Sequence, residues 1–284
     1  MRGGAERSRL RAGAARERKP RWKETPLKRL FSALATVALA LIPIFGLAPG
    51  ARAQSEITLL APMPIQESME KLVAGFEAKT GMHVKATYGS GLGTRKQVAS
   101  GQALDVSVLF APFPDALATG NIVPTSATVI ARLRLGIAVK KGAAKPDIST
   151  PDAVKKMLLN AKSVAAVDPA QGSAGAVTMA TLDKLGITDQ LKPKITWVRG
   201  AGAVQDAVAK GTAEIALGPY LSEMDNPGLD IVGALSPEAS PPVDVTGFIA
   251  TNAKDPKAAK QLLDYLASPE AAEIYKEGRI FPVR

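Results

Sequence analysis

Short apolar runs alternate with segments of helical periodicity from about residue 56 to the end of the chain. The apolar runs predict strands at 56–60, 83–88, 105–110, 133–139, 163–167, 194–198, 215–217 and 245–250. Apolar residues three and four positions apart predict helices at 65–79, 151–159, 173–185 and 203–210, and one more after Asp255 and Pro256. This alternation indicates an α/β fold built around mainly parallel sheets.

A glycine-rich stretch, Tyr88–Val98 (YGSGLGTRKQV), joins the second predicted strand to a helix. Such a junction offers free backbone N–H groups and the positive end of the helix dipole, and both favour an anion. The Gly-Lys-Ser/Thr pattern of a nucleotide phosphate loop is missing. The alternative interpretation is an ordinary strand-to-helix turn.

Similar junctions follow several predicted strands, at 61–65, 89–94, 168–175 and 200–204. In open α/β sheets, ligands bind at the carboxyl ends of the strands. Backbone N–H donors from these junctions can hold an anion together, without a metal ion or a cofactor. The sequence therefore predicts an anion-binding cleft with no cofactor and no metal.

The first 53 residues have the order of a secretory signal peptide. A basic segment precedes the apolar run 31–47, and Ala51-Arg52-Ala53 provides a small-residue cleavage site before Gln54. We therefore predict cleavage after Ala53 and a periplasmic protein. A retained membrane anchor is the alternative, although a membrane span usually needs about 20 apolar residues.

Removal of the leader changes the charge of the chain. Residues 1–53 carry 12 of the 36 Lys and Arg and 3 of the 26 Asp and Glu, so 24 basic and 23 acidic residues remain. The remaining part shows no basic stripe with interleaved aromatics, so we predict no nucleic-acid partner. The chain has no cysteine and a single histidine, His83, which makes thiolate chemistry impossible and a Ser-His-Asp triad improbable.

Several segments together carry a resemblance to a known family. They are FEAKTGMHVKATYGSG with GQALDVSVLF, then VDPAQGSAGAVTMATLDKLGI, GAVQDAVAKGTAEIAL and the terminal AAKQLLDYLASPEAAEIYKEGRIFPV. In these segments the chain resembles the periplasmic molybdate-binding proteins of ABC importers. The terminal segment supports the fold, whereas the spacing from Gly89 and Ser90 to Gly101 and Asp105 is more specific to the family.

The resemblance implies a two-lobed type II periplasmic binding protein. Each lobe is then a mixed sheet flanked by helices, with the ligand cleft between the lobes. Residues 54–137 plus 233–284 are expected to form lobe I, and residues 138–232 lobe II. The expected partners are a small anionic ligand and an ABC permease in the inner membrane, and the protein is expected to be a monomer.

The resemblance also implies ligand-binding positions, with departures from the family pattern. The hydroxyl-bearing first loop of the family reads Ala61-Pro62-Met63-Pro64 here, so its serine is absent. The family tyrosine falls on Pro219 without a gap, or on Tyr220 with one inserted residue. The implied ligand-binding residues are Met63, Ser90, Gly91, Ser173, Ala174, Val204 and Tyr220.

Arg95 stands where the family pattern has a small residue, and it bears on the choice of ligand. The family holds its oxyanion with neutral donors, whereas a guanidinium suits bidentate recognition of a carboxylate. With Arg95 added and the first-loop serine lost, the sequence favours an organic carboxylate or another anion over molybdate itself. The alternative is that Arg95 lies on the solvated face of its helix.

An enzyme on the same scaffold is the alternative function. Aconitate isomerase resembles this family and acts on a tricarboxylate, so a similar isomerase is a concrete second hypothesis. Proton abstraction would need a base in the cleft. The candidate bases are Asp105, Asp168, Tyr220 and Glu223, and none of them lies in a catalytic motif.

Overall fold

The strands combine into two mixed sheets in the computed structural model, which describes residues 56–283 apart from the side chain of Glu223. The predicted signal peptide therefore lies outside the described residues. The strands are β1 Glu56–Pro62, β2 His83–Gly89, β3 Val106–Phe110, β4 Thr128–Leu133, β5 Leu135–Lys140, β6 Val164–Val167, β7 Ile195–Val198, β8 Ile215–Pro219, β9 Leu229–Ala234, β10 Val243–Ile249 and β11 Phe281–Pro282.

The first sheet has six strands in the order β11-β4-β10-β3-β1-β2, and the second has five in the order β7-β6-β8-β5-β9. In the first sheet, β1 pairs in parallel with β2 and β3, while β10 runs antiparallel to β3 and β4. In the second, β6 pairs in parallel with β7 and β8, while β5 runs antiparallel to β8 and β9. The mixed sheets that the resemblance implied are confirmed. The mainly parallel sheets expected from the strand and helix alternation are wrong, because four of the strand pairings in residues 56–283 are parallel and five are antiparallel.

Helices cover the sheets and bury their apolar faces. They are α1 Gln66–Thr80, α2 Gly91–Ala99, α3 Pro114–Ala118, α4 Pro151–Asn160, α5 Ser173–Leu185, α6 Thr188–Leu191, α7 Ala201–Ala209, α8 Pro256–Leu266 and α9 Pro269–Glu277. The predicted N-caps are present: Thr150 accepts from the Ala153 N–H before α4, and Asp255 accepts from two N–H groups before α8. Gly81 ends α1 with a φ of 70°.

The predicted single strand at 133–139 is wrong. β4 ends at Leu133 in the first sheet and β5 begins at Leu135 in the second, so the chain changes sheets at Arg134. Leu133 and Leu135 are both buried. A run of alternating apolar residues predicts a strand, but it carries no signal for a change of sheet within that strand.

The chain returns to the first sheet through residues 235–242, which overlap the Pro-rich connection predicted at 236–245. The two crossings lie side by side, because the Leu235 N–H donates to the Leu135 carbonyl at 2.8 Å. The change of sheet at Arg134 precedes the predicted lobe boundary after residue 137, and β9 ends at Ala234, beyond the predicted boundary at 232. The division into lobes stays a prediction, with these crossings as the candidate hinge.

Candidate ligand-binding cleft

A cavity of about 400 Å³ lies between the two sheets, and we call it the cleft. On the first sheet's side it is lined by Met63, Pro64, Ser90, Gly91, Leu92, Phe110, Leu133 and Val243. On the second sheet's side it is lined by Leu135, Val167, Gln171, Ser173, Ala174, Val177, Gly200, Ala201, Pro219 and Leu221, with Arg134 at the crossing. Most of these side chains are apolar, and the polar groups come mainly from strand-to-helix junctions.

The N-terminus of α2 forms one wall of the cleft. Ser90 is its N-cap, and the Ser90 Oγ accepts from the Gly93 N–H at 2.9 Å. This bond uses a lone pair of the hydroxyl and leaves its O–H free to donate to a ligand. Ser90 is exposed, and Gly91 and Leu92 extend the same wall. The glycine-rich stretch therefore faces the cleft.

The N-terminus of α5 approaches the same wall from the second sheet. A Cβ atom placed on Gly172 would lie 3.9 Å from the Leu92 N atom, so the first turns of α2 and α5 are neighbours. The Ser173 hydroxyl donates to the Phe110 carbonyl over a long distance of 3.5 Å. Ser173 and Ala174 both line the cleft. Two positive helix ends thus meet there, an arrangement that favours a negative charge between them.

The N-terminus of α7 adds a further junction through Gly200 and Ala201, which line the cleft. Val204 lies deeper, with a side chain 1% exposed in the core beneath the second sheet. As the fourth residue of α7, it directs its N–H along the helix toward the Gly200 carbonyl. The predicted donor at Val204 is therefore absent from the cleft lining, and the N–H groups one turn earlier lie closer to it.

Arg134 supplies a positive charge to the cleft that the sequence interpretation missed. Its Nε donates to the Leu235 carbonyl at 2.7 Å, and Nη2 donates to the same oxygen. Its guanidinium stacks 4.5 Å from the centre of the Phe281 ring. Burial lowers the pKa of Arg134 below its ordinary value, an effect that the Glu238 carboxylate opposes, and an arginine remains protonated at neutral pH.

Arg95, the cation that the sequence singled out, is absent from the cleft lining. Its Nη1 donates to the Pro112 carbonyl, and its Nε is buried without a hydrogen-bond partner among the described residues. Arg95 is partly exposed and lies outside the cavity lining, which is closer to the alternative of a helix-surface position than to a contact with the ligand. The helix period decides this outcome, because Arg95 projects from α2 toward the segment before α3 rather than toward the helix N-terminus.

Tyr220 also lies outside the cleft lining, whereas its neighbour Pro219 is part of it. The Tyr220 N–H donates to the Arg134 carbonyl at 2.8 Å. Its ring packs beside Phe281, with ring centres 6.2 Å apart, and beneath the Arg279 guanidinium. The ungapped match of the family tyrosine to Pro219 is thus the one that reaches the cleft.

Met63 occupies the edge of the cleft in the short 3₁₀ turn that follows β1. It is 55% exposed, more than any other large apolar side chain among the described residues. With Met63, Ser90, Gly91, Ser173 and Ala174, most of the predicted ligand-binding residues line one cavity.

The described candidate bases have structural contacts instead. Asp105 is 3% exposed, and its carboxylate accepts from the Thr58 N–H at 2.8 Å, the Thr58 hydroxyl at 2.6 Å and the Lys254 N–H at 2.7 Å. Burial alone would raise the pKa of Asp105, but these hydrogen bonds outweigh it and hold the pKa below 3.8. Asp168 caps the Ala170 N–H in a turn.

Among the cleft-lining residues that the structure describes, Arg134 is the only side chain that carries a charge. Within residues 56–283, no group of three or more His, Cys, Asp or Glu is placed to hold a metal ion. No helix in the described part is long and apolar enough to cross a membrane.

The fold and the inter-sheet cleft define a two-lobed type II binding protein. Residues 57–278 match the family model of bacterial extracellular solute-binding proteins. The chain belongs to this family. Both the predicted fold class and the predicted class of function, a solute-binding protein resembling those of ABC importers, are confirmed.

The individual relatives include both an enzyme and a molybdate-binding protein. The chain is 29% identical to an aconitate isomerase of Pseudomonas sp over 258 residues, covering 88% of this chain and 95% of that protein. It is 29% identical to the molybdate-binding protein ModA of Azotobacter vinelandii over 245 residues, covering 81% and 92%. The substrate-binding domain of a putative molybdenum ABC transporter from Clostridium difficile has the same fold, with a TM-score of 0.69, 17% identity and coverage of 81% and 99%.

Proposed function

We propose that this protein is a periplasmic solute-binding protein that captures a small anion in the cleft and delivers it to an ABC permease of the inner membrane. The observation that carries the proposal is the convergence of the N-termini of α2, α5 and α7 on one cavity that also contains Arg134. Unpaired N–H groups and positive helix ends bind anions without a metal or a cofactor. The proposed ligand contacts are Ser90, Gly91, Ser173, Ala174, Gly200 and Ala201.

The proposed mechanism is closure of the two lobes around the anion. The ligand contacts α2 on the first sheet's side and α5 and α7 on the other, so it stabilises the state in which these elements are close together. The exposed Met63 at the edge of the cleft becomes covered on closure. The permease then recognises the closed form, as expected for a monomeric binding protein.

A thermal-shift screen of the exported protein tests this proposal. Molybdate, tungstate, sulfate, citrate and the aconitates form the panel, with choline as a cationic control. We expect at least one anion to raise the melting temperature in proportion to the logarithm of its concentration, because it binds only the folded state. If no anion raises the melting temperature, the proposed anion binding is wrong.

An aconitate-isomerase-like activity is the second candidate, favoured by the 29% identity to such an enzyme across 95% of its length. Proton transfer in this reaction class needs a base beside the substrate. The described cleft lining supplies an arginine, hydroxyls and amides but no carboxylate, which supports binding over turnover. Incubation with cis-aconitate, followed by chromatography for the trans isomer, decides between them.

N-terminal sequencing of the exported protein tests the location. We expect Gln54 as the first residue, in accord with the extracellular family. A chain that begins upstream of residue 31 and sediments with membranes would instead identify a retained anchor.

A further inference from the structure

The cleft is larger than a tetrahedral oxyanion requires. At the volume of about 30 Å³ that a water molecule occupies, the four oxygens of such an ion need roughly 120 Å³. The cavity holds about 400 Å³, which lies in the range of sites for organic molecules. In this form of the protein, part of its wall is therefore free to contact something other than an oxyanion.

The remaining wall is apolar on both sides. Leu92 and Phe110 line it from the first sheet, and Val177 and Leu221 line it from the second. Apolar walls contribute binding energy to a carbon skeleton, in proportion to the apolar area that both surfaces remove from water. They contribute nothing comparable to a fully hydrated inorganic ion.

Arg134 is held in a fixed position, and its Nη1 remains available to donate to a ligand. Its Nε and Nη2 donate hydrogen bonds to the Leu235 carbonyl, and one face of its guanidinium stacks on the Phe281 ring. Nη1 has no hydrogen-bond partner within the described part of the chain. A guanidinium fixed in this way loses little side-chain entropy when it pairs with a carboxylate, and such pairs are strong and directional.

We propose that the ligand is an organic carboxylate rather than a tetrahedral oxyanion, and that Arg134 binds one of its carboxylate groups through Nη1 while the apolar walls hold its carbon skeleton. This inference rests on the proposed anion-binding function and assigns the ligand class of the same cleft. Arg134 takes the role that the sequence interpretation gave to Arg95. Because Arg134 also contacts Leu235 at the candidate hinge, the ligand carboxylate bridges the cleft and the crossing segments.

Isothermal titration calorimetry of the exported protein tests the assignment with molybdate, sulfate, succinate and tricarballylate as probes. We expect a carboxylate to bind more tightly than molybdate. Replacing Arg134 by Gln should weaken carboxylate binding by about ten- to a hundredfold, the effect of losing a charged hydrogen-bond donor. Arg95→Gln, which removes a guanidinium outside the cleft lining, is the matched control and should leave the affinity unchanged.

A second set of titrations, which combines a change in the ligand with a change at Arg134, covers the case in which Arg134→Gln does not fold. In the wild type, converting one carboxylate of the bound probe to a carboxamide should weaken binding about tenfold or more. In Arg134→Lys, which keeps the charge but not the Nη1 donor at its fixed position, the same conversion should weaken it less, and this coupling is the signature of direct contact.

The outcomes separate the two proposals. Molybdate binding more tightly than every carboxylate, or equal carboxylate affinity in the wild type and Arg134→Gln, overturns the ligand assignment while anion binding stands. Failure of all four probes to bind overturns both.

Discussion

The Arg279 guanidinium donates to the Asp225 carboxylate at 2.6 Å and so joins the C-terminal segment to the second sheet's side of the molecule. Arg279 also donates through Nη1 to the Leu221 carbonyl at 3.2 Å, and Leu221 lines the cleft. The Arg279 backbone has a φ of 58°, a left-handed conformation that is uncommon outside glycine. The contacts of this side chain therefore hold an unfavourable backbone conformation next to the cleft.

Replacing Arg279 by Ala or Gly separates the side-chain contacts from the backbone cost. Both variants lose the Asp225 contact, so we expect both to shift toward an open form with a larger radius of gyration in small-angle scattering. Gly accepts the left-handed conformation, so Arg279→Gly should be about 1 kcal/mol more stable than Arg279→Ala in urea unfolding. Equal stabilities would show that the conformation carries no cost, and an unchanged radius would show that the pair does not restrain the lobes.

Ser90→Ala should affect both stability and ligand binding. Loss of the N-cap of α2 should cost about 1 kcal/mol in urea unfolding, and loss of the O–H donor should weaken anion binding in titration calorimetry. Ser268 caps α9 in the same way through the Ala271 N–H, away from the cleft lining. Ser268→Ala should therefore cost similar stability without a change in affinity. Equal affinities in the two variants would limit Ser90 to its capping role.

The sequence predicted the cleft from backbone features, but the cation that lines it is Arg134 and not Arg95. Junctions at Ser90 and Ser173 could be recognised because glycine and hydroxyl residues mark strand-to-helix turns within a few positions. Arg95 and Arg134 could not be told apart in this way. The direction of a long side chain depends on the tertiary path around it, and Arg134 lies at a change of sheet that the apolar pattern of 133–139 conceals.

Two strands that the apolar pattern of the sequence did not predict lie next to the two crossings. β4 and β9 were not predicted, although each pairs with a strand beside a crossing, β10 and β5. Their apolar residues are short runs next to turns or continue into the next strand. Strand pairing between distant segments decides their structure, and local periodicity contains little of that information.

Asp105 should make the stability of the protein dependent on pH in the acid range. The folded-state pKa lies below the ordinary value of 3.8, so the contribution of Asp105 is fully present above about pH 5 and is lost as the pH falls through the folded pKa. Asp105→Asn should lower the free energy of unfolding by about 1–3 kcal/mol at neutral pH, since its amide cannot accept all three hydrogen bonds. Urea unfolding between pH 2.5 and 7 should show that the variant loses less stability on acidification than the wild type.

Asp168→Asn is the control for this measurement. Asn retains the oxygen that accepts from the Ala170 N–H, so the turn should persist with little change in stability. If Asp105→Asn matches Asp168→Asn at every pH, the hydrogen bonds of Asp105 do not stabilise the fold.

Gly175 allows α5 to begin close to the end of β6, and this closeness places the helix N-terminus at the cleft. A Cβ at Gly175 would lie 2.3 Å from the Asp168 carbonyl oxygen, so Gly175→Ala must displace either the turn or the first turn of α5. We expect a loss of about 1–3 kcal/mol in urea unfolding and a weaker anion affinity, because the Ser173 and Ala174 N–H groups move with the helix.

Gly202 lies at the equivalent start of α7, with nothing within 4 Å of an added Cβ. Gly202→Ala should leave stability unchanged or raise it by up to about 1 kcal/mol, with the affinity retained. An unchanged affinity in Gly175→Ala at reduced stability would mean that the α5 N-terminus does not contact the ligand.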